Sequence, residues 1–346
     1  MRYESVTIDA FGYELAPNVL TSDDIEDRLA ALYQKLHLKK GQLETLTGIR
    51  ERRYWDMGFP MNEGAMRAGL KALISSSIPK EAIGMLIYAG VCRDQLEPAT
   101  ACAVAHGLNL GPDTQILDVS NACLGVLNGM ILVANAIELG QIDAGMVVSC
   151  ETSREIIGLV IHRLLETLDM NVFKQSLATL TGGSGAVAVI LSRIHSPKPG
   201  HRLLGGVVQN ASQWHRLCQW GPDTGFPSTL PHFMQTDSVG VLQNGVKLGI
   251  ETYSKFRQIF GIGANVPDKV ICHQVGSAHQ KTILSGLGIP SDKDFTTFEY
   301  LGNMGTVSLP MTAAIADERE FLQPGDRVGF LGIGSGLNCL MLAIDW

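Results

Sequence analysis

The chain has 346 residues, of which 45% are hydrophobic and 18% charged, and its net charge at pH 7 is −7. This length can bury a large core and favours two structural units over one. The acidic balance argues against a nucleic-acid-binding protein, which needs a basic face, and no run approaches the ~20 apolar residues of a membrane helix. The first residues also lack the apolar stretch of a signal peptide, so we expect a cytoplasmic protein.

Apolar strand-like runs alternate with helix-length segments along the whole chain. The strand candidates are AIGMLIYAGV, TQILDVS, AGMVVSCE and GAVAVILSR in the first half, and LGGVVQNA, DKVICHQV, DRVGFLGIG and NCLMLAIDW in the second. Helices are predicted at residues 22–37, 62–76, 123–139, 245–261 and 276–287. Near-continuous apolar strands separated by helices are typical of an α/β fold whose sheets are covered on both faces.

The two halves of the sequence resemble each other. TGGSGAVAVILSR in the first half and GIGSGLNCLMLAIDW in the second share a glycine-rich turn that leads into an apolar strand. This similarity indicates an internal duplication. We predict a first unit at residues 1–195 and a second at 196–346, with the seam near RIHSPKPGHR.

Two stretches, 151–181 and 212–244, have no counterpart in the other half. The second contains four large aromatic residues, Trp214, Trp220, Phe226 and Phe233. The two stretches are candidates for insertions that build a substrate cavity, although they could equally cap the core.

The seven cysteines do not suggest a disulfide framework, because their number is odd and no CxxC motif occurs in this long chain. Most are expected to behave as small buried hydrophobic residues. The nine histidines show neither an HExxH motif nor another paired-ligand spacing. We therefore predict no metal and no other cofactor.

Three polar residues follow apolar strands or lie in glycine-rich loops: Cys123 in NACLG, His273 in ICHQV and Asn303 in YLGNMGTVS. At such positions a side chain can point into a pocket while the backbone stays rigid. Cys123 also lies where a helix would begin, and the unpaired amides of that helix should lower the pKa of its thiol. Taken singly, each residue type is more often structural at such a position, and only the combination suggests a reactive cysteine with partners.

The motifs DVSNACLG, ICHQVGSAHQ, YLGNMGTVSLP and GIGSGLNCLML, with LTGIRERRYW near the amino terminus, resemble the thiolase superfamily, specifically its β-ketoacyl-ACP synthase III-like branch. They occur in that family's order across residues 46–342. The resemblance implies a thiolase fold, which is a duplicated five-layer α/β/α/β/α sandwich, and an assembly that is usually a homodimer.

The resemblance also implies a role for each polar residue. Cys123 would accept an acyl group from a thioester, and its amide, together with one from the loop at Ser335 or Gly336, would stabilise the tetrahedral oxyanion. His273 and Asn303 would hold the thioester oxygen of the second substrate while an enolate develops there. Carbon–carbon bond formation on the acyl-cysteine then yields a β-ketoacyl thioester.

The stretch CRDQLEPATACA contains Glu97 and resembles the corresponding stretch of OleA-type enzymes, which join two fatty acyl-CoA chains head to head in long-chain olefin biosynthesis. In those enzymes the matching glutamate reaches across the dimer interface and is the base in the partner's active site. The resemblance therefore implies non-decarboxylative Claisen condensation of fatty acyl-CoA, with acyl carrier protein as another conceivable donor, and a burial-raised pKa for Glu97. Without it, Glu97 reads as a solvated loop carboxylate.

Arg50, Arg52 and Arg53 follow the family stretch that borders the coenzyme A entrance, where guanidinium groups suit phosphates. A solvated edge explains the same three residues equally well. His279, about one helical turn beyond His273, is predicted to be structural.

Other functions remain open on the sequence. The main alternative is a decarboxylating β-ketoacyl-ACP synthase III, which needs malonyl-ACP and no base at the α-carbon. A cysteine hydrolase of the papain type has Cys, His and Asn in the same order, but its local cysteine signature is missing. A non-catalytic acyl-binding protein of the same fold would not need the complete set of polar residues.

Overall fold

The computed structural model describes residues 1–194, 200–221, 233–261 and 267–346. Its strands are β1 (Val6–Leu15), β2 (Asn18–Thr21), β3 (Glu51–Tyr54), β4 (Ile83–Ala89), β5 (Gln115–Val119), β6 (Ala144–Glu151), β7 (Gly185–Arg193), β8 (His201–Asn210), β9 (Cys218–Gly221), β10 (Phe233–Thr236), β11 (Lys269–Cys272), β12 (Arg327–Gly334) and β13 (Asn338–Asp345). Each of the apolar runs quoted above overlaps one of these strands, as predicted, although β8 begins at His201, before the run LGGVVQNA.

The helices are α1 (Ser22–Arg28), α2 (Ala30–Leu36), α3 (Gln42–Thr47), α4 (Met61–Ser75), α5 (Thr100–Gly107), α6 (Gly125–Glu138), α7 (Arg154–Thr167), α8 (Met170–Leu180), α9 (Ser238–Ile259), α10 (Ser277–Leu287), α11 (Phe298–Leu301) and α12 (Ser308–Glu318). The helix predicted at 22–37 is interrupted at Leu29, whose N–H is shared between the carbonyls of Ile25 and Glu26. Helix α9 begins before the predicted residue 245, because Asp237 caps it through the amide of Gly240 at 2.9 Å.

One hydrogen-bonded sheet runs in the order β11-β12-β13-β8-β1-β7-β6-β4-β5. Its two parts repeat each other: in each, the first strand pairs antiparallel with the last, as β1 does with β7 and β8 with β13. The parts are joined in the sheet by β1 and β8, which pair at Thr7↔Arg202 and Ile8↔His201, and by the bridge Arg2↔Gly205. The repeated order confirms the predicted duplication, whereas the boundary at residue 195 stays a prediction because it falls outside the described residues.

The strands alternate their side chains between two layers of helices. Ile87 packs in a central apolar cluster with residues of α6 and α12, including Leu127 and Met311. Its neighbours Leu86 and Tyr88 point the other way, towards α4 and α5. In the second half, α9 and α10 cover the outer face of β8, β11, β12 and β13. Two outer helix layers, two sheet layers and a central pair of helices give the predicted five-layer sandwich.

Two further features of the fold concern the edge of the sheet and membrane insertion. Strand β5 ends the sheet order, and β4 is its partner among the described strands. None of the helices in the described part of the chain combines the length and the apolar character that crossing a bilayer demands.

Candidate active site

A cavity of about 530 Å³ brings the three predicted polar residues together. Cys123, His273 and Asn303 all line it, although they come from distant parts of the chain. The two stretches without a counterpart also contribute to its wall, with Ile156 and Thr179 from the first and Trp220 and Met234 from the second, which favours the cavity-building interpretation over capping of the core.

Of the four aromatic residues of the second stretch, the structure describes the side chains of Trp214 and Trp220. Both are partly exposed, and Trp220 lines the cavity whereas Trp214 is not part of the lining. Phe226 and the side chain of Phe233 lie outside the described residues.

Cys123 lies in the sharp turn that connects β5 with α6. Ala122, just before it, has a φ of 45°, in the left-handed region that side chains other than glycine rarely adopt. The first amides of the helix are already used: Leu124 donates to Asn121 O at 2.9 Å, and Val126 donates to Thr306 Oγ1 at 2.7 Å. The turn therefore holds the thiol rigidly against the cavity.

Burial, with smaller contributions from the nearby Cys218 and Glu151, raises the pKa of the Cys123 thiol to about 12. The prediction that the helix terminus lowers this pKa is therefore wrong. The physical reason is that the helix amides already have acceptors, so little of the terminus is left to offset the cost of burying a thiolate. The resting residue is a neutral thiol, and its proton must leave as it attacks a thioester.

His273 follows β11 directly, and its amide donates to Leu331 O at 3.1 Å. Its side chain is only 6% exposed, and its Nδ1 has no hydrogen-bond partner within the described parts of the chain. Burial lowers its pKa to about 3, with the neighbouring His279 as the second cause. A neutral imidazole carries one N–H, so His273 suits the role of a hydrogen-bond donor better than that of a base.

Asn303 is fixed by its own backbone and by its side-chain oxygen. Its amide donates to Thr181 O at 2.9 Å, its carbonyl accepts from Gly183 at 2.9 Å, and its Oδ1 accepts from the Gly305 amide at 3.0 Å. Since Oδ1 is held, the Nδ2 group is the one left to donate. His273 and Asn303 therefore supply neutral N–H donors to one cavity, which is the chemistry needed to hold an enolate oxygen.

The glycine-rich loop after β12 lies against the Cys123 turn. A Cβ atom on Gly334 would meet the Cys123 amide nitrogen at 3.4 Å, and Ser335 lines the cavity. Asn338 Nδ2 donates to Ser335 O at 3.3 Å and to Asn121 Oδ1 at 3.2 Å, and thereby ties the loop to the turn. Gly336 comes next, with a φ of 133° that favours glycine, but it does not line the cavity.

Glu97 lies away from the cavity of its own chain. It belongs to the loop at residues 90–99 between β4 and α5, and its side chain is exposed. The neighbouring Leu96 is 71% exposed. The prediction that burial acts on Glu97 therefore does not hold within a single chain.

The three arginines have different surroundings. Arg50 is exposed and Arg53 is half-buried, with Arg53 donating to Ala16 O at 3.3 Å. Arg52 is fully buried and donates to Ser22 Oγ and to Leu180 O, both at 3.0 Å. Its assignment to the coenzyme A entrance is wrong, because β3 alternates its side chains and turns this guanidinium into the core.

The cavity lining also includes polar residues that were not predicted to be functional, among them His279 and Glu151. His279 lines the cavity, and burial lowers its pKa to about 4. Glu151 ends the fully buried strand β6, lines the same cavity and is only 4% exposed. The available signal was the acid itself, because a glutamate that closes an otherwise apolar strand such as AGMVVSCE is unusual in a core.

Comparisons with known proteins agree with this geometry. Residues 261–346 match the family described as 3-oxoacyl-(acyl-carrier-protein) synthase III C terminal. The chain is 52% identical to an acyl-CoA:acyl-CoA alkyltransferase from Shewanella oneidensis and 35% identical to one from Xanthomonas campestris, and each alignment covers 100% of both chains. A β-ketoacyl-(acyl-carrier-protein) synthase III from Desulfitobacterium hafniense is 25% identical over 99% of this chain and 98% of its own.

Among solved structures, the chain is similar to a crystal structure of Xanthomonas campestris OleA with bound lauric acid and lauroyl-CoA. The two superpose with a TM-score of 0.93 at 35% identity, covering 99% of this chain and 100% of the other.

Proposed function

The chain belongs to the family of acyl-CoA:acyl-CoA alkyltransferases, acyltransferases with the thiolase fold, and on that premise we propose that it joins two fatty acyl-CoA thioesters head to head. The observation that carries the proposal is that Cys123 and the neutral donors His273 and Asn303 line the same, mostly apolar cavity. The product is a β-ketoacyl-CoA or, after hydrolysis, a β-keto acid, as in the first step of long-chain olefin biosynthesis in the cytoplasm. Beyond the acyl-CoA substrates the reaction needs no cofactor.

The first half-reaction transfers an acyl group to the enzyme. The Cys123 sulfur attacks the thioester carbonyl of the first acyl-CoA, its proton leaves with the departing coenzyme A thiolate, and free coenzyme A is released. The amide of Cys123 and an amide of the Ser335–Gly336 loop stabilise the oxyanion, because that loop lies against the turn. Arg50 and Arg53 are the arginines left to contact phosphates at the entrance.

The second half-reaction forms the carbon–carbon bond. Glu97 of the partner protomer removes an α-proton from the second acyl-CoA, and His273 and Asn303 hold the resulting enolate oxygen. The enolate carbon attacks the acyl carbonyl on Cys123, and the tetrahedral intermediate expels the cysteine thiolate. The proton held by Glu97 is available to return the cysteine to a neutral thiol, which balances the cycle.

A homodimer is the assembly that this mechanism requires. Strand β5 lies at the end of the sheet order, with Ile116 on it 39% exposed, and the 90–99 loop exposes Leu96 next to Glu97. An exposed edge strand beside apolar side chains favours pairing with a second copy. Such pairing would bury Glu97 against the partner, which the single chain leaves exposed.

A decarboxylating synthase III remains the second candidate, because relatives of that kind align with the whole length of the chain at 25% identity. It would draw its carbanion from malonyl-ACP and would not need Glu97. No described contact favours a hydrolase, and a protein that only binds acyl chains would not need donors placed around a cysteine.

The test uses wild-type enzyme and one saturated long-chain acyl-CoA. Coenzyme A release is followed with a thiol reagent, and the organic extract is analysed by mass spectrometry with and without malonyl-CoA or malonyl-ACP. We expect release and a β-keto acid, or the ketone formed from it, without any malonyl compound. Turnover that begins only when a malonyl thioester is added would instead establish the decarboxylating synthase.

A further inference from the structure

The loop that carries Glu97 is held at both of its ends by carboxylates. At its start, the amides of Val91 and Cys92 donate to Glu151 at 2.8 and 3.0 Å. At its far end, Asp118 accepts from the amides of Thr100 and Ala101, the first residues of α5, at 2.8 and 3.0 Å.

The middle of the loop has one further anchor. Asp94 accepts from the amides of Met61 and Asn62 at 2.7 and 2.9 Å, and thereby joins the loop to the start of α4. Beyond Asp94 the tip of the loop, including Glu97, is exposed. The position of Glu97 therefore depends on the anchors at the base of the loop.

Glu151 differs from the other anchors because it also lines the Cys123 cavity. A Cβ atom on Gly305 would lie 3.6 Å from the Glu151 carboxyl carbon, and the Gly305 amide holds Asn303 Oδ1 at 3.0 Å. One buried carboxyl group thus holds the loop of Glu97 and lies beside the loop of Asn303. The loop of Glu97 leads to the neighbouring active site, and the loop of Asn303 belongs to the active site of its own protomer.

We propose that Glu151 is a positioning residue for the base of the neighbouring active site. From the wall of one protomer's cavity, its carboxyl group fixes the start of the loop that delivers Glu97 to the partner. This inference rests on the proposed function, because it takes Glu97 to act across a dimer interface.

The substitution Glu151→Gln tests this role with little change of volume. An amide side chain keeps one oxygen acceptor but turns an NH2 group towards a backbone N–H, so one of the two loop contacts becomes donor against donor. A base displaced by an ångström can lose about 100-fold in rate. We expect the main loss in the condensation rate, while each subunit still releases one coenzyme A on acylation.

Mixed dimers separate the two loops that lie beside Glu151. One subunit carries Cys123→Ala and the other Glu97→Ala, with different affinity tags for purification of the mixed species. The only complete site then uses Cys123 of the second subunit and Glu97 of the first. Glu151→Gln is added to the first subunit in one preparation and to the second in another, with the exposed Glu81→Gln as the charge-matched control in both.

We expect condensation to fall by about 100-fold when Glu151→Gln shares a chain with the intact Glu97, and by less than about threefold when it shares a chain with the intact Cys123. A loss that follows the Cys123 chain, equal losses in both placements, or no loss in either would overturn the inference. If the parent mixed dimer itself fails to condense, the proposed action of Glu97 across the interface is wrong, and the inference is wrong with it.

Folding is monitored by the acyl-enzyme. A Glu151→Gln homodimer that releases one coenzyme A per subunit has an intact cavity. If the glutamine variant does not accumulate, Glu151→Asp takes its place in the same two preparations, because the shorter carboxylate cannot span both loop amides. The inference then stands if condensation falls only when Glu151→Asp shares a chain with the intact Glu97, and any other pattern overturns it.

Discussion

Cys123, His273 and Asn303 share one cavity and are held by their own chain, whereas Glu97 lies on an exposed loop outside that cavity. The backbones of His273 and Asn303 and the turn of Cys123 are held by hydrogen bonds to neighbouring segments, and so is Asn303 Oδ1. The loop of Glu97 is anchored at its base, but nothing in the described chain covers its tip. The difference indicates that one protomer can form the acyl-enzyme alone, while carbanion formation requires a second protomer.

The largest effect is expected from removal of the nucleophile Cys123. Cys123→Ala should abolish acyl-enzyme formation and reduce coenzyme A release on the order of 10⁴-fold or more, because no other group can take its place. Liquid chromatography of released coenzyme A measures the effect. The exposed Cys102→Ala is the matched control and should keep wild-type activity. Substantial release by Cys123→Ala would show that the acyl group is carried elsewhere.

Removing the base Glu97 on the exposed loop should lower the rate of condensation and leave acylation of Cys123 intact. Glu97→Gln keeps the size of the side chain but cannot accept a proton, so condensation should fall by about 10³-fold while acylation of Cys123 continues. Rapid-quench measurements separate the two steps, with the exposed Glu81→Gln as control. Equal loss of both steps would mean that Glu97 supports the cavity rather than the proton transfer.

The buried Arg52 is next compared with the exposed Arg50. Arg52→Ala removes two buried hydrogen bonds and leaves a void, so the free energy of unfolding should fall by about 3 kcal/mol. Arg50→Ala should leave stability unchanged and raise KM for acyl-CoA about threefold, because an exposed charge contact contributes little. Urea unfolding and steady-state kinetics on both variants give the comparison. Unchanged stability with a raised KM in Arg52→Ala, and lost stability in Arg50→Ala, would instead place Arg52 at the coenzyme A entrance.

The smallest expected effect is on the pH dependence of the free energy of unfolding. Burial lowers the pKa of His273 to about 3 from 6.5, so between these values the unfolded chain holds a proton that the folded protein does not. Stability should therefore fall as pH decreases from 6.5 towards 3, with a contribution of about 2 kcal/mol at pH 5. His273→Gln removes this contribution. Urea unfolding at pH 7 and pH 5 should show a smaller acid loss in the variant than in the wild type, and equal losses would contradict the buried neutral histidine.

Much of the fold could be predicted because it depends on local patterns. Apolar runs such as AGMVVSCE became strands, and the repeated glycine-rich turns predicted the duplication that the strand order confirms. The break at Leu29 and the early start of α9 were missed. Both depend on individual hydrogen bonds, which periodicity does not encode.

The site was only partly predictable for the same reason. Motif order located Cys123, His273 and Asn303, and the cavity contains all three. The raised pKa of Cys123 and the burial of Arg52 depend on tertiary packing, which a pattern of residue types does not specify. Glu151 was missed because its two functions, lining the cavity and holding the 90–99 loop, arise from contacts between distant segments.

The most direct test of the account is the stoichiometry of a single turnover by Glu97→Ala. The variant is mixed with a small excess of lauroyl-CoA, released coenzyme A is counted per subunit, and the intact protein and its peptides are analysed by mass spectrometry. We predict one coenzyme A per subunit, one lauroyl group on Cys123 and no β-keto product. Continued release with a β-keto product, or an acyl group on another residue, would contradict the division between an acyl-carrying cysteine and a base from the partner.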